Sequence, residues 1–390
     1  MSTLSKCYIF LIVAILACGS ASQAKFALSK AFIIDPWFAG VAPGLVDVAI
    51  DGKNQIHVAW QNHTAASGLS YFLYYRSFDL YGNPLTDVHN LTIPGLVAIG
   101  SIPIACNSWG KLAVACCMND TSIVPLQRRS YLWLSNATGQ LGSPFELELD
   151  RLPPSETPYP GLAVSESGRT IVAWANDQIN NSDSVYYEMY DENNQKMFPS
   201  RAASTGEYSF HGARDCKVSV APSGRFVISW SAKHNGEPNW PFLSWQPHAR
   251  AFDADGNPMC GEILVACEGF PETCSGDPAY FHDGKASDNI PDVAIQDNGD
   301  FVVSYRRDNS MDCLQEYYFV RRYNADGTPK GPNIHINDQT NCIAWPQPPR
   351  IASDSIGNLL VAFQINTGWN SDLWNNFGQR FDPTGARIGG

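Results

Sequence analysis

Tryptophans and acidic side chains are concentrated in the long connections of the second half of the chain. The residues of interest are His234, Glu237, Trp240, Trp245, Tyr280, His282, Asp283, Trp345, Trp369 and Trp374. An exposed indole stacks on the apolar face of a sugar ring, and carboxylates bind its hydroxyls. The pattern predicts ligand-binding residues, namely Trp240, Trp245, His234, His282, Asp283, Trp345, Trp369 and Trp374. The competing explanation is that each tryptophan folds under its own loop as a local core.

The same loops hold candidates for catalysis. Asp283, Glu237 and Tyr280 combine carboxylates with a phenol, and a sialidase-like glycosidase also needs arginines that bind a substrate carboxylate. Arg214, Arg306 and Arg350 are available for that role. The sequence contains no nucleophile elbow, zinc-protease motif or phosphate loop. We expect no cofactor and no metal, because the segments that begin at Asp253 and Asn324 fit turns better than calcium loops.

The long loops connect the strands of a repeated unit. Each copy has a small residue in its first strand, and these residues are Ala49, Ala105, Ala163, Ser219, Ala294 and Ala352. A turn follows, with glycine at its end in five of the six copies, which supplies the positive φ of a tight hairpin. The second strand then ends on a large or soft residue: Trp60, Cys116, Trp174, Trp230, Tyr305 or Phe363. We expect the small residues to let sheets approach and the large ones to pack between them.

Four short strands in each copy are typical of a propeller blade. The copies begin near residues 45, 101, 159, 215, 290 and 348. The sequence therefore predicts an all-β fold, a six-bladed β-propeller with four-stranded blades, formed by one domain over residues 25–390. The last copy stops just after its third strand, so Ser29–Asp35 is expected to complete that blade and close the ring. An open or seven-bladed ring is the alternative, but few residues precede Val46.

The repeat resembles exported bacterial repeat proteins with blades of the type G-x-F-V-V-x-W followed by F-D-x-x-G-x-P-x-G. Phe301–Tyr305 and the segment Phe252–Gly256 carry this pattern. The resemblance covers nearly all of the chain after residue 24 and implies a propeller. The Asp-box of sialidases, S-x-D-x-G-x-x-W, is not met. In a propeller the first-to-second and third-to-fourth turns lie on one face, and the longer connections lie on the other, where we expect the ligand site.

Residues 1–24 are predicted to be a signal peptide. Lys6 precedes the apolar run Cys7–Cys18, which is shorter than the ~20 residues of a spanning helix. Ser22-Gln23-Ala24 fits a cleavage site, so we expect a secreted or extracytoplasmic protein. A lipobox at Ile15–Gly19 is the alternative and would leave Cys18 as a lipid anchor. No other segment is apolar enough to span a membrane.

Export makes disulfides and glycans relevant. The chain has 11 cysteines, and loop positions favour Cys313–Cys342 and Cys267–Cys274 bridges, while Cys106, Cys116 and Cys117 fit buried thiols. The glycosylation sequons are Asn62, Asn90, Asn119, Asn136 and Asn180.

Composition limits the partners. The net charge is −12 and no Lys/Arg run is present, so neither nucleic acid nor an anionic membrane is an expected partner. The sequence favours a secreted, non-enzymatic propeller that binds a glycan or a cell-surface protein through the long-loop face of blades four to six. The alternatives are a glycoside hydrolase or lyase and a structural surface module.

Overall fold

The fold is described from a computed structural model of the chain. The described residues are 34, 41–64, 70–120, 122, 127–136, 139–147, 159–176, 184–205, 210–234, 244–265, 290–309, 315–336, 348–354, 356–366 and 374–389. Within these ranges the chain is all-β and antiparallel, with no helix. No helix there is long and apolar enough to cross a bilayer.

The strands form six sheets in the described residues, and five of them are four-stranded meanders. The first sheet has β1 (Val41–Ile50), β2 (Ile56–Thr64), β3 (Ser70–Phe78) and β4 (His89–Asn90). The second has β5 (Leu96–Ile99), β6 (Ile104–Cys106), β7 (Leu112–Asp120), β8 (Gln127–Leu134) and β9 (Phe145–Glu146), with β5 and β6 both paired to β7. The third has β10 (Gly161–Val164), β11 (Thr170–Asn176), β12 (Ser184–Tyr190) and β13 (Arg201–Ala202).

The remaining three sheets repeat the same order. The fourth has β14 (Phe210–Val220), β15 (Phe226–His234), β16 (Ser244–Phe252) and β17 (Ile263–Leu264). The fifth has β18 (Asp292–Ile295), β19 (Phe301–Asn309), β20 (Gln315–Tyr323) and β21 (Ile334–His335). The sixth has β22 (Arg350–Ser353), β23 (Leu359–Asn366), β24 (Trp374–Phe381) and β25 (Arg387–Ile388).

Side chains close the short turns. In the turn after β16, Asp253 Oδ1 accepts the N–H groups of Asp255 and Asn257, and Gly256 has a φ of 79°. Asp382 closes the turn after β24 in the same way through Thr384 N and Ala386 N. The Asp253 carboxylate therefore caps a turn, as the sequence predicts, which explains why an Asp-x-x-Gly motif recurs.

The large residue at the end of each second strand packs between neighbouring sheets. Trp230 of the fourth sheet is fully buried beside Ile171, Ala173 and Val185 of the third. Trp174 packs against second-sheet residues, Tyr305 against the fourth sheet and Phe363 against the fifth. The predicted packing role of this repeated position is confirmed for these aromatic residues.

The first strands of successive sheets lie against one another. In chain order, β1, β6, β10, β14, β18 and β22 each contact the next. Side chains and main chain join them: Ile104 N donates to Asp47 Oδ2 at 3.2 Å, and Ile351 N donates to Asp292 Oδ2 at 3.1 Å. Cys216 N donates to Tyr159 O at 3.0 Å. The first strands of successive sheets are thus fixed relative to each other.

Gly161 occupies a place where two of these inner strands nearly touch. A Cβ at this position would lie 2.8 Å from the carbonyl carbon of Cys216 and from Lys217 Cα. Because main chain cannot rotate away, we expect G161A to lower the free energy of unfolding by roughly 1–3 kcal/mol. Gly378→Ala is the matched control, since its Cβ would meet Leu360 Cδ1 at an ordinary 3.6 Å. Equal denaturation midpoints for the two variants would contradict the close approach.

Within the described residues, the last strand of the sixth sheet pairs at a different place from that of the first sheet. Strand β25 of the sixth sheet pairs with Arg380 and Phe381 at the end of β24, whereas β4 of the first sheet pairs with Tyr74 and Tyr75 in the middle of β3. Of the predicted closing segment Ser29–Asp35, only Ile34 lies within the described residues. Ile34 packs against the cluster of Ile56, Val58, Trp60 and Phe78 in the first sheet.

Candidate functional site

Four charged residues occupy the same register position in four different first strands. Asp47, Lys217, Asp292 and Arg350 pair with Ala59, Ser229, Ser304 and Ala362, the small residues of the adjacent second strands. Gly161 takes this position in the third sheet, opposite Ala173. We call Asp47, Lys217, Asp292 and Arg350 the inner-strand charge cluster. Its members come from the first, fourth, fifth and sixth sheets.

The members of the cluster affect one another electrostatically. Desolvation raises the pKa of Asp47 above its usual range, although Arg350 and Lys217 act in the opposite direction. Burial lowers the pKa of Lys217, and repulsion from Arg350 adds to the effect. Asp292 and Asp47 partly offset that decrease. Asp47, Lys217 and Asp292 are half-buried, whereas Arg350 is exposed.

The cluster carboxylates are held by main-chain donors. Asp292 accepts Ile351 N at Oδ2 and Val293 N at Oδ1, each at 3.1 Å. Asp47 accepts Ile104 N. Each carboxylate is therefore oriented by the first strand of the following sheet, which leaves less freedom than a surface aspartate has.

An irregular stretch of β14 lies beside the cluster. The pairing of β14 with β15 shifts register between Arg214 and Lys217, and Asp215 has a φ of 58°. A non-glycine residue in this left-handed conformation at a bulge is a feature that recurs near functional sites. Arg214 Nε lies 3.2 Å from Asp215 Oδ2, and the Arg214 guanidinium lies 3.9 Å from the Trp245 ring centroid.

A pocket of about 800 Å³ lies elsewhere, at the short-turn face of the first three sheets. We call it the turn-face pocket. Asp51, His57 and Tyr75 line it from the first sheet, Trp109 from the second and Glu166 from the third. His57 Nδ1 lies 2.9 Å from the Tyr75 hydroxyl, and His57 Nε2 lies 3.5 Å from Asp51 Oδ2. Burial lowers the pKa of His57 and raises that of Tyr75 to about 12.

Most side chains that the sequence singled out lie outside the described residues. These are Glu237, Trp240, Tyr280, His282, Asp283, Trp345 and Trp369. The side chains of His234, at the end of β15, and Trp374, at the start of β24, lie outside them as well. Trp245 is described, and only 8% of it is exposed. This indole is packed under Arg214, and the role of Trp245 in ligand binding stays a prediction.

The predicted arginines do not form one described group. Arg350 belongs to the inner-strand charge cluster, Arg214 covers Trp245, and Arg306 is buried. Lys217, Asp47 and Asp292 were missed by sequence reasoning, which searched long loops. The sequence does contain a pattern that marks these residues, since each charged residue stands two positions before the aligned small residue of its strand. No group of three or more metal-ligating side chains occurs in the described ranges.

The described residues include only some of the cysteines and glycosylation sequons. Cys116, Cys117 and Cys216 are buried free thiols, and burial raises the pKa of Cys117 to about 12. Cys106 is a half-buried free thiol. The predicted bridge residues Cys267, Cys274, Cys313 and Cys342 lie outside the described residues, as does Asn180. Asn62 is 8% exposed and lies in β2, which argues against a glycan there, while Asn90 is exposed.

Known proteins resemble the chain in fold. No family model and no curated protein sequence matches it. An α-L-arabinofuranosidase from Fusarium graminearum is 11% identical with a TM-score of 0.48, covering 82% of this chain and 88% of that one. An α-L-arabinanase from Penicillium chrysogenum gives 11% and 0.47 over the same shares. A neuraminidase-like protein of A/flat-faced bat/Peru gives 10% and 0.46, over 87% of this chain and 92% of that one.

The likeness concerns the fold alone, an all-β arrangement of four-stranded antiparallel sheets like that of propeller-type glycoside hydrolases. The structures found include proteins named as enzymes that act on glycosides, which is contrary to the predicted non-enzymatic binding protein. The burial of Trp245 removes one support of the same prediction.

Proposed function

We propose that this chain is a glycoside hydrolase whose reacting centre is the inner-strand charge cluster. The observation that carries the proposal is the pair Asp47 and Asp292, at one register level, with the pKa of Asp47 raised by desolvation. Glycoside hydrolysis uses a protonated carboxyl group as acid and an ionised carboxylate as nucleophile or base. Two carboxylates in different environments supply this division of roles.

Asp47 is assigned the role of general acid. It donates its proton to the glycosidic oxygen as the bond from that oxygen to the anomeric carbon breaks. Asp292 either attacks the anomeric carbon or removes a proton from the attacking water. In the first case water later releases the sugar from Asp292, with Asp47 acting as base, so that both carboxyl groups return to their starting state.

Lys217 and Arg350 are assigned to substrate binding. Arg350 is the exposed member of the cluster, and its guanidinium donates to sugar hydroxyls or to the carboxylate of an acidic sugar. Lys217 is repelled by Arg350 and attracted by Asp292. We expect the contributions of Lys217 and Arg350 to substrate binding to determine whether the enzyme prefers neutral or acidic sugars.

The proposal includes a ring of six sheets as the architecture that creates this centre. Support comes from the contacts between successive first strands and from the electrostatic effect of sixth-sheet Arg350 on first-sheet Asp47. If the six sheets formed a straight row, Asp47 in the first sheet and Arg350 in the sixth would lie at opposite ends of that row. We further propose that Ser29–Asp35 completes the sixth sheet and that residues 1–24 direct export.

The test is a panel of 4-nitrophenyl glycosides of neutral and acidic sugars, as furanosides and pyranosides. We expect at least one to be hydrolysed, and D292N to lower kcat/KM by about 10²–10⁴-fold. Asp326→Asn is the matched control, because Asp326 lies in the turn after β20, where it accepts Thr328 N. No hydrolysis of any member, or equal rates for D292N and the control, would reject the assignment.

A further inference from the structure

The turn-face pocket has the size and the walls of a small-molecule site. It lies between the first-to-second turns of three successive sheets. Its volume of about 800 Å³ falls within the range of known ligand pockets, roughly 300–1,000 Å³. None of the four cluster residues lines it, so the two sites are separate.

Trp109 is the main apolar surface of the pocket. The indole residue is 71% exposed, although it stands in a tight turn of the second sheet, where polar residues are usual. Asn107 holds this turn by accepting Trp109 N at 3.1 Å and Lys111 N at 2.9 Å at Oδ1. Asn107 Nδ2 also donates to Ser165 O of the third sheet. The indole is therefore presented by a fixed turn rather than a long loop.

The first-sheet wall of the pocket is polar and buried. His57 is 5% exposed and Asp51 is 4% exposed. Asp51 Oδ1 accepts Lys53 N and Gln55 N, which fixes the carboxylate. His57 Nδ1 bonds to the Tyr75 hydroxyl, and Nε2 lies 3.5 Å from Asp51 Oδ2, so the ring is held between these two side chains.

The charges of the pocket are mixed and largely engaged. Glu166 accepts Ser108 N and the Ser108 hydroxyl, and Lys111 Nζ donates to Glu192 O and Asn194 Oδ1. Asp51, Glu166 and Glu192 face Lys53 and Lys111 across the same space. A pocket without a single dominant sign of charge favours a neutral, polyhydroxylated ligand over a phosphate or a nucleic acid.

We propose that the turn-face pocket binds a neutral sugar unit of an oligosaccharide. The sugar ring stacks on the Trp109 indole, and its hydroxyls bond to the His57 and Asp51 wall and to Glu166. This site goes beyond the proposed hydrolysis, because it holds a carbohydrate at a place remote from the reacting carboxylates. In a hydrolase it retains a polymeric substrate near the enzyme without touching the scissile bond.

The experiment titrates the intact protein with xylan-, mannan-, arabinan- and cellulose-derived trisaccharides up to 10 mM, following tryptophan fluorescence and heat. We expect at least one trisaccharide to bind. W109A should weaken that binding at least tenfold, and His57→Phe should weaken it as well. Tyr81→Ala is the matched control, since Tyr81 is 79% exposed on a turn of the first sheet but does not line the pocket.

The outcomes separate this site from the proposed hydrolase. Binding that survives D292N but not W109A supports the pocket whether or not any glycoside is cleaved. If W109A also keeps its rate on short aryl glycosides and loses rate on the polymer, the retention role is supported. No binding by any trisaccharide, or equal binding by W109A and Tyr81→Ala, overturns the proposal even if hydrolysis is found.

Discussion

D47N is expected to lose catalytic activity and to gain stability at neutral pH. As a general acid, Asp47 contributes about 10²–10⁴-fold to the rate, and an asparagine amide has no proton to donate. We therefore expect kcat/KM on an unactivated glycoside to fall by that factor. The amide oxygen still accepts Ile104 N, so the packing of the first and second sheets should be kept.

The gain in stability follows from the raised pKa of Asp47. Desolvation raises this pKa above the unfolded value of 3.8, so the folded state favours the protonated carboxyl group. The stabilisation is fully present below the unfolded pKa and is lost as the pH rises through the folded pKa. Above its folded pKa the wild-type carboxylate is charged in the folded state at a cost that asparagine avoids. Near pH 3 the wild type is protonated in both states, and the difference should vanish.

The measurement is a pair of thermal melts of wild type and D47N at pH 7 and pH 3. A higher Tm for D47N at pH 7 together with lost activity would support the assignment, because active-site residues commonly lower stability while they are needed for function. A lower Tm for D47N at pH 7, or full activity, would place Asp47 among the purely structural residues.

W230A is expected to lower the free energy of unfolding by about 3–5 kcal/mol. Trp230 is fully buried, packs against Ile171, Ala173 and Val185 of the third sheet, and stacks on His248 with ring centroids 5.7 Å apart. Removing the indole leaves a cavity between two sheets and uncovers His248, whose Nδ1 lies 2.9 Å from Glu262 Oε1. Both the lost packing and the access of water to the His248–Glu262 contact contribute to the destabilisation.

Chemical denaturation of W230A and W109A gives a matched comparison. Both variants remove an indole, but Trp109 is 71% exposed and buries little surface. We expect W109A to change the free energy of unfolding by no more than about 0.5 kcal/mol. Similar decreases in the free energy of unfolding for the two variants would contradict the packing of the repeated aromatic residue between neighbouring sheets.

The sequence predicted the sheets better than the site. Strand positions and turns follow from local patterns, such as the small residue at Ala163, the glycine at Gly168 and the wedge at Trp174, and each of these is found in its expected place. These features repeat, so one copy supports the interpretation of the next. The order of four strands in five of the six described sheets is that of successive antiparallel hairpins, whereas the extra strand of the second sheet was not predicted.

The site could not be predicted in the same way because it depends on long-range neighbours. Asp47 and Arg350 interact only when the sheets that carry them are placed, and their shared position in the repeat does not by itself show which residues they face. Trp109 was overlooked because its turn belongs to the short-turn face, which sequence reasoning set aside. The burial of Trp245 could not be predicted because exposure of an indole depends on what packs over it, here Arg214.

The most direct test of the central claim is the pH dependence of kcat/KM for wild type and D47N on an activated aryl glycoside. If Asp47 is the general acid, the wild-type rate falls as the pH rises through its raised pKa, and this alkaline limb disappears in D47N. An activated leaving group needs little protonation, so D47N should keep enough rate for the profile to be measured. An alkaline limb that persists unchanged in D47N would contradict the assignment of the inner-strand charge cluster as the reacting centre.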